Sequence, residues 1–547
     1  MNRLKKIGLI SSFVILSSVF FAFKTDYFEV AKQLEIYTTL FKELNMYYID
    51  EINPAKLTDT AINNMLEDLD PYTKYYDEQG VEEVKINSSG EYSGIGAQSK
   101  YIDKKLVIVE VYEGFSAEKE GIKVGDVVIK IDDIFIEDFK EKQVTSLLKG
   151  SLHTTVNLII KRQEKTLDFK VKREKIILNP VPHYQMVTDE IGYIAFNKFN
   201  NKTSPAVKSA FVDLESQGMH KLILDLRGNP GGLLNEAINI TNFFVPKNEI
   251  VVTTKAKVKK WSETYKTKRE PIDLDIPIVV LINGKSASAA EIVAGSLQDL
   301  DRAVILGQRS FGKGLVQRYR NLTYGTKLKL TISKYYTPSG RNIQELDYTH
   351  REGEEIPKFS NENREVFKTK NGRTVYGGGG ITPDIAIALP KETKSTEALY
   401  KSNAIFNYAN HYYFKNETIE KPENFIFEDA DYQDFISFLM QKENNFKTKS
   451  ELKFAAAFKT SEKENISNKI TSSYKTLISQ LEDQKIEELN KNKEEIKEHI
   501  SDEIINRYYF KKGKYQNHIV FNKSIQEAIK VLQNNKQYAQ ILKNEHN

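Results

Sequence analysis

The chain has 547 residues, a net charge of +4 and no cysteine. Its length is too great for one hydrophobic core and indicates about two to four domains. The small net charge gives no sign of nucleic acid as a partner. The lack of cysteine excludes disulfides, thiolate catalysis and thiolate zinc sites. The eight histidines are scattered, without the spacing of a helical metal site. We therefore expect neither a metal nor another cofactor.

Residues 1–25 have the pattern of a secretory signal or a signal anchor. Arg3, Lys5 and Lys6 precede an uncharged run over residues 7–23, which is at the short limit for spanning a bilayer. The end of this run is bulky and lacks a small-x-small cleavage site, so the pattern favours an anchor over a cleaved signal. The positive flank places the rest of the chain outside the cytoplasm. A buried helix of a cytosolic protein is the alternative.

The rest of the chain divides into four regions of different composition. Residues 26–86 carry helical apolar stripes, and residues 87–173 combine many glycines with short strand patterns. Residues 174–394 alternate strands and helices, which favours a layered α/β core. Residues 395–547 are rich in Lys, Glu and Asn, and predict a charged, mostly helical C-terminal extension. Within it, residues 461–505 have helical spacing and predict long exposed helices that could pair with a partner chain.

A serine at the start of a predicted helix is the candidate nucleophile. Residues 283–291 read Asn-Gly-Lys-Ser-Ala-Ser-Ala-Ala-Glu and follow a buried-strand pattern. The free N–H groups at a helix start favour a developing anion, and small residues flank Ser288. Ser286 or Ser288 could instead merely cap the helix, and this segment alone does not decide between the two interpretations.

A lysine between two glycines is the candidate base. A serine hydroxyl needs a base, and no histidine lies in a comparable context. Lysine can serve if burial lowers its pKa from about 10.4 toward neutrality. Lys313 stands in Phe-Gly-Lys-Gly, residues 311–314, with apolar neighbours. Most lysines are solvated surface charges, so this pattern alone is weak.

A glycine-rich turn supplies candidate donors for an oxyanion. Residues 225–232 read Asp-Leu-Arg-Gly-Asn-Pro-Gly-Gly after a buried-strand pattern. Glycines free backbone N–H groups to point at a ligand, so Gly231 or Gly232 could bind an oxyanion together with Ala289. A plain turn is the alternative, and a phosphate loop would need a Gly-Lys-Ser/Thr ending.

Together these segments resemble the carboxyl-terminal processing, or tail-specific, serine proteases. The matching segments are 225–232, 283–291, 311–314 with Gln317, 335–341 and 380–384. Their order and spacing agree with the family, and the resemblance covers roughly residues 30–390. It implies an α/β multidomain protein with a crotonase-like layered protease core that needs no cofactor.

The resemblance also implies roles for individual residues. Ser288 would attack the scissile carbonyl, Lys313 would take its proton and return it to the leaving amine, and Gln317 would hold the lysine by hydrogen bonding. The expected activity is cleavage of proteins near their C-termini. The alternative is a catalytically silent peptide-binding scaffold, which the intact set of three residues disfavours.

The glycine-rich region resembles a PDZ domain. Residues 118–126, Glu-Lys-Glu-Gly-Ile-Lys-Val-Gly-Asp, match the bacterial PDZ signature, except that the usual prolines are replaced at Ser116 and Val124. The residues that resemble the carboxylate-binding loop are Gly94, Ile95 and Gly96. The resemblance implies that this loop grips a substrate's terminal carboxylate while the substrate tail adds as a strand. The replaced prolines leave the peptide preference open.

The expected partners follow from these interpretations. They are protein or peptide substrates bound by their C-termini, the membrane through the N-terminal segment, and a second copy of the chain if exposed helices pair. The expected location is the periplasmic side of a bacterial cell envelope, with the N-terminal segment anchored in the inner membrane.

Overall fold

The computed structural model describes residues 27–138, 144, 146–348, 356–358, 364–388, 393–441, 446–464 and 466–543. The predicted anchor at residues 1–25 lies outside these ranges. Within the described part of the chain, none of the helices has both the length and the hydrophobicity that crossing a bilayer requires. Contacts divide the chain into two units, residues up to 77 with 319–330, and residues 78–318 with 331–547.

The first unit is mainly helical and largely exposed. Its elements are helix α1 (27–47), helix α2 (Pro54–Glu67) and strand β1 (Lys74–Tyr76). Helix α2 begins where the side chain of Asn53 accepts from the N–H of Lys56 (3.0 Å), an ordinary N-cap. Strand β1 pairs antiparallel with residues 327–329 of the same unit. The predicted apolar stripe of α1 is exposed: Leu34 is 60% and Leu40 is 55% accessible.

The second unit begins with the predicted PDZ domain. Its elements are helix α3 (Glu78–Ser89), strands β2 (Glu91–Gly94), β3 (Ala97–Ile102) and β4 (Lys105–Val111), helix α4 (Ser116–Lys119), and strands β5 (Val127–Ile131), β6 (Ile134–Phe135), β7 (Thr155–Arg162), β8 (Lys165–Lys172) and β9 (Glu174–Ile177). The main sheet has the order β3-β4-β5-β7-β8, with β6 beside β5. Strand β7 buries Val156, Leu158 and Ile160 on one face, as the two-residue period of a half-buried strand requires. Strand β3 is therefore an edge of this sheet.

The α/β core follows. Its elements are strands β10 (His183–Met186) and β11 (Ile191–Ala195), helix α5 (Thr203–Ser216), strand β12 (Lys221–Asp225), helix α6 (Leu234–Asn242), strands β13 (Ile250–Ala256), β14 (Glu263–Lys266) and β15 (Ile278–Ile282), helix α7 (Ala289–Asp299), and strands β16 (Val304–Gly307), β17 (Leu315–Asn321), β18 (Lys327–Tyr336), β19 (Val366–Lys368), β20 (Thr374–Tyr376) and β21 (Ile385–Ala386). The central sheet has the order β10-β11-β12-β15-β16-β21 and is parallel apart from β10. All five residues of β15 are buried, because helices cover both faces of the sheet.

The helices of the C-terminal region complete this core. They are α8 (Lys394–Lys401), α9 (Ala404–Lys415), α10 (Asp429–Met440), α11 (Lys449–Lys463), α12 (Ser467–Lys491), α13 (Lys493–Phe521), α14 (Lys523–Gln533) and α15 (Asn535–Lys543). Helices α5, α6 and α7 pack on one face of the central sheet. Ile525, Val531 and Leu532 of α14 pack on the other face, against residues such as Tyr193 and Leu281. The predicted helices are confirmed, but their polar composition concealed that the last of them form a layer of the core.

Candidate active site

Ser288 lies in a strained turn between β15 and α7. Its backbone angles are φ 55° and ψ −113°, a region that residues other than glycine rarely adopt. It is half-buried, whereas the residues on either side of it are buried. The turn is held from below, since the N–H of Ala287 donates to the carbonyl of Asn229 (2.9 Å). A strained strand-to-helix turn is the arrangement that presents a nucleophilic hydroxyl.

Ser286 has a structural role in the same turn. Its Oγ donates to the carbonyl of Leu226 (2.8 Å) and accepts from the N–H of Asn283 (3.0 Å). The side chain is fully buried. Of the two serines, Ser286 therefore fastens the turn, and Ser288 is the one whose hydroxyl can meet a substrate.

The carboxylate of Glu291 joins the serine turn to the lysine turn. Its Oε2 accepts from the N–H groups of Ser288 (2.8 Å) and Lys313 (2.9 Å). Its Oε1 accepts from the hydroxyl of Ser310 (2.6 Å) and the N–H of Gly312 (2.7 Å). Because both backbone nitrogens donate to Oε2, the distance between them is at most the sum of the two hydrogen-bond lengths. Burial raises the pKa of Glu291, although these four hydrogen bonds oppose the shift.

Close packing fixes the turn that carries Lys313, a half-buried residue. The N–H of Phe311 donates to the carbonyl of Ser286 (3.0 Å). The N–H of Gly314 donates to Oε1 of Gln344 (2.7 Å). Gly312 has φ +85°, and a Cβ there would lie 2.7 Å from the Cβ of Glu345. Glycine is thus required for both conformation and space.

Gln317 follows on strand β17. Its Nε2 donates to Oγ1 of Thr331 (3.2 Å). This contact leaves Oε1, a hydrogen-bond acceptor, as the atom that could receive a lysine amine. The predicted role of Gln317 in holding Lys313 stays a prediction.

The glycine turn at 225–232 lies against the serine. A Cβ built on Gly231 would be 2.9 Å from the Cβ of Ser288 and 2.8 Å from the nitrogen of Ala289. The N–H of Gly231 already donates to Oδ1 of Asn229 (2.9 Å). Within the described ranges, the N–H groups of Gly232 and Ala289 donate to no protein acceptor. This difference favours Gly232 over Gly231 as the partner of Ala289 in an oxyanion hole.

Two residues of the quoted motifs received no role from the sequence, although both organise the site. One is Glu291, described above. The other is Arg227, whose guanidinium pairs with the buried Asp225 (2.6 Å). Burial would raise the pKa of Asp225, but Arg227 and the hydroxyl of Tyr193 outweigh it and hold the pKa below its usual value. The available signal was a charged side chain beside a segment that the sequence predicts to be buried.

The predicted carboxylate loop opens the edge strand of the PDZ domain. The carbonyl of Ile95 accepts from the N–H of Ala117 (2.8 Å). Gly96 has φ +84°, and a Cβ there would lie 2.3 Å from the Cβ of Phe115. Gly94 precedes it at the end of β2. Among the described strands, β3 pairs only with β4, so one edge is available for strand addition.

The described side chains also contain no group of three or more His, Asp or Glu residues that could hold a metal ion.

Three family models match successive parts of the chain. The model of a PDZ domain matches residues 93–172, and that of peptidase family S41 matches residues 190–349. The model described as "Probable PDZ-protease, C-terminal helical domain" matches residues 395–532. The PDZ prediction is therefore confirmed, and the C-terminal helices form a recognised domain.

Curated relatives share much of this sequence. A probable CtpA-like serine protease of Staphylococcus haemolyticus is 37% identical, over 55% of this chain and 61% of its own length. A carboxy-terminal-processing protease of Bartonella bacilliformis is 36% identical, over 58% of this chain and 74% of its own length. A solved photosystem II D1 C-terminal processing protease is 25% identical, over 64% of this chain and 93% of its own, with a TM-score of 0.36. On the sequence matches, the chain belongs to the carboxyl-terminal processing proteases of peptidase family S41, a family of serine peptidases.

Proposed function

We propose that this chain is an endopeptidase that cleaves protein substrates near their C-termini, with Ser288 as the nucleophile and Lys313 as the general base. The observation that carries the proposal is the shared oxygen of Glu291, which bonds the N–H groups of both residues. A single buried carboxylate thereby holds together two turns separated along the chain. Proximity and fixed orientation are what a nucleophile and its base require.

The reaction uses groups of this chain alone. The hydroxyl of Ser288 attacks the scissile carbonyl carbon while the neutral amine of Lys313 takes the hydroxyl proton. The N–H groups of Ala289 and Gly232 donate to the oxyanion that forms. The C–N bond then breaks, and the leaving amine takes the proton from Lys313. Water hydrolyses the ester in the same manner, and Gln317 orients the lysine throughout.

The PDZ domain would deliver the substrate. The loop formed by Gly94, Ile95 and Gly96 would bind the terminal carboxylate, and the tail would pair with the open edge of β3. Main-chain hydrogen bonds would supply most of this affinity, since strand addition depends little on sequence. The enzyme would then select substrates by an unfolded C-terminal tail.

The test is a digestion of an unfolded protein by the purified chain, followed by mass spectrometry of the fragments. Wild type should produce fragments that the Ser288→Ala variant does not. Lys208→Ala, at an exposed position of helix α5, should cut like wild type and control for loss of a lysine. Equal fragmentation by wild type and Ser288→Ala would refute the proposal, and an absence of fragments with both would leave a peptide-binding scaffold.

The location is a further part of the proposal. The positive residues followed by an uncharged run support anchoring in the inner membrane with the described domains on the periplasmic side. Protease digestion of spheroplasts should then degrade the chain without lysis. Protection until lysis would place it in the cytoplasm instead.

Self-association is the remaining part. The exposed apolar stripe of α1 supports pairing with a second copy. The full chain has a mass of 62.9 kDa. Sedimentation of the chain without residues 1–25 should show a species larger than the monomer of this shorter chain. A monomer at micromolar concentration would argue against self-association.

A further inference from the structure

We propose that Asn522, in the C-terminal helical domain, is a positioning residue for the glycine turn at residues 225–232 of the protease core, the oxyanion turn. The inference rests on the proposed function, since it concerns the same reaction. It gives the C-terminal domain a part in catalysis, although that domain contributes none of the reacting groups.

Arg227 is the link between the turn and the C-terminal domain. Its Nη2 donates to Oδ2 of Asp225 (2.6 Å) and its Nε to Oδ1 (3.0 Å). Its Nη1 donates to Oδ1 of Asn522 (2.6 Å). The side chain is only 15% exposed. A planar guanidinium held at both ends in this way cannot rotate without losing charged hydrogen bonds.

The orientation of Asn522 is itself fixed by its neighbours. Its Nδ2 donates to Oε1 of Glu498 (2.8 Å), and a carboxylate can only accept. Its Oδ1 therefore faces the opposite way, where it meets Arg227 and also accepts from the N–H of Ser524 (3.1 Å). The same atom thus caps helix α14 and receives the arginine. The N–H of Asn522 donates to the carbonyl of His518 (2.9 Å), which ties it to α13 as well.

Helix α14 gives this contact a rigid base. Ile525, Ala528, Val531 and Leu532 are buried against the far face of the central sheet. Packed interiors resist small displacements, so the cap residue cannot drift relative to the strand that ends at Asp225. Arg227 is thus held by the strand through Asp225 and by helix α14 through Asn522.

The other end of the turn is fixed by the nucleophile segment. The N–H of Gly228 donates to Oδ1 of Asn283 (2.9 Å). The carbonyl of Asn229 accepts from the N–H of Ala287, next to Ser288. The turn is therefore held at Arg227, beside the serine, and on both sides of Gly232, where hydrogen bonds to Phe199 flank it. Loss of the Asn522 contact would release only the Arg227 end, and a shift at that end would displace the N–H of Gly232 slightly. An oxyanion donor is effective only at hydrogen-bonding distance from the oxyanion.

The experiment separates helix capping from arginine contact. In Asn522→Ser, the hydroxyl still caps α14 but is too short to reach Arg227. In Asn522→Asp, a carboxylate oxygen serves both partners, and Glu498, whose side chain is 47% exposed, can turn to solvent. The matched control is Asn534→Ser, because Asn534 caps α15 through the N–H of Gln537 (3.1 Å).

The first readout is the kinetics of a fluorogenic peptide that wild type cleaves. Asn522→Ser should lower kcat by about 10-fold, a fraction of the loss when an oxyanion donor is removed outright, with KM unchanged. Asn522→Asp should recover kcat to within about twofold, and Asn534→Ser should match wild type. A serine variant with the kcat of wild type would overturn the positioning role and leave the proposed function standing.

The second readout needs no turnover. Hydrogen exchange of the segment 226–234, followed by mass spectrometry, should be faster in Asn522→Ser and at the wild-type rate in Asn522→Asp and Asn534→Ser. Unchanged exchange in the serine variant would also overturn the inference. If that variant melts below Asn534→Ser, Asn522→Thr repeats the test with another capping hydroxyl. If wild type shows no cleavage that depends on Ser288, the proposed function is wrong, and the contact between Asn522 and Arg227 has no role in catalysis.

Discussion

The oxyanion turn and the turns of the PDZ domain both depend on glycine, but their surroundings differ. In the oxyanion turn, a Cβ on Gly232 would lie 2.1 Å from the carbonyl oxygen of Phe199, and one on Gly231 would lie 2.6 Å from that of Ala287. In the PDZ domain, a Cβ on Gly114 or Gly121 would meet nothing within 4 Å. All four residues have positive φ.

The difference separates two uses of glycine. At Gly114 and Gly121, glycine supplies only a backbone conformation, so a substitution costs conformational strain of about 1 kcal/mol. In the oxyanion turn, glycine also allows three chain segments to touch. The turn beside Ser288 therefore depends on contacts that leave no room for a side chain, whereas the turns at Gly114 and Gly121 have room for one.

The largest expected effect is loss of the dyad. Ser288→Ala and Lys313→Met should each lower kcat by about 10⁴-fold or more, because the remaining groups only bind and polarise the substrate. Hydrolysis of a peptide by each variant, beside Lys208→Ala, measures this. A Lys313→Met enzyme with substantial activity would mean that another base serves.

Gly232→Ala should come next. It places a methyl group against Phe199 and displaces an oxyanion donor, so kcat should fall by about 10²-fold or more. Gly121→Ala is the matched substitution in an open PDZ turn, and it should leave kcat unchanged. Equal losses in the two variants would break the comparison between the regions.

Glu291→Gln should lower kcat by about 10²-fold. The amide NH₂ group of glutamine would face N–H donors, so the serine turn and the lysine turn would lose the carboxylate that connects them. Glu236→Gln is the control, because Glu236 is also buried and accepts one backbone N–H, from Ser204 (2.6 Å). A Glu291→Gln enzyme as active as this control would show that the turns stay together without the carboxylate.

The pKa of Glu291 predicts how activity changes with pH on the acid side of the profile. Burial raises the pKa of Glu291. Protonation of Glu291 should therefore weaken the contact between the serine turn and the lysine turn at a higher pH than the protonation of an exposed glutamate would. Activity should therefore rise with pH twice, first as Glu291 ionises and then as Lys313 loses its proton. A single rise in log kcat against pH, identical in wild type and Glu291→Gln, would contradict the first step.

The smallest expected effect lies in the PDZ loop. Gly96→Ala crowds Phe115 and should raise KM by about 10-fold for peptides with a free C-terminal carboxylate, with kcat unchanged. Peptides with an amidated C-terminus should show no such rise, and Gly114→Ala should behave as wild type with both. A lower kcat for Gly96→Ala would indicate that the loop also affects the chemistry.

The turns of the candidate site could be recognised in the sequence because each of them is local. The serine turn, the lysine turn and the glycine turn are each short segments whose residue types reflect their own conformation, such as the glycines around Lys313. Glu291 was visible in its motif, but its four donors come from two turns, and only the folded chain brings them together. The role of Glu291 was therefore missed for a physical reason.

The contribution of the C-terminal domain was harder to predict. Asn522 meets Arg227 across 295 positions of sequence, and no local pattern encodes such a pair. Helix α14 buries Ile525, Ala528, Val531 and Leu532 at helical spacing, a pattern that indicates one buried face but not the surface that this face covers. The predicted domain boundary near residue 394 separates segments of different composition. In the structure, helices beyond this boundary still pack on the central sheet of the protease core.

Helix α14 also sets the order of events during synthesis. Chains emerge from the ribosome N-terminus first, so Ser288 and Lys313 are made long before the residues that cover the far face of their sheet. A nascent chain that ends before helix α14 therefore carries both residues while the far face of their sheet is bare. Helix α14 therefore has to be made before the central sheet can be covered on both faces.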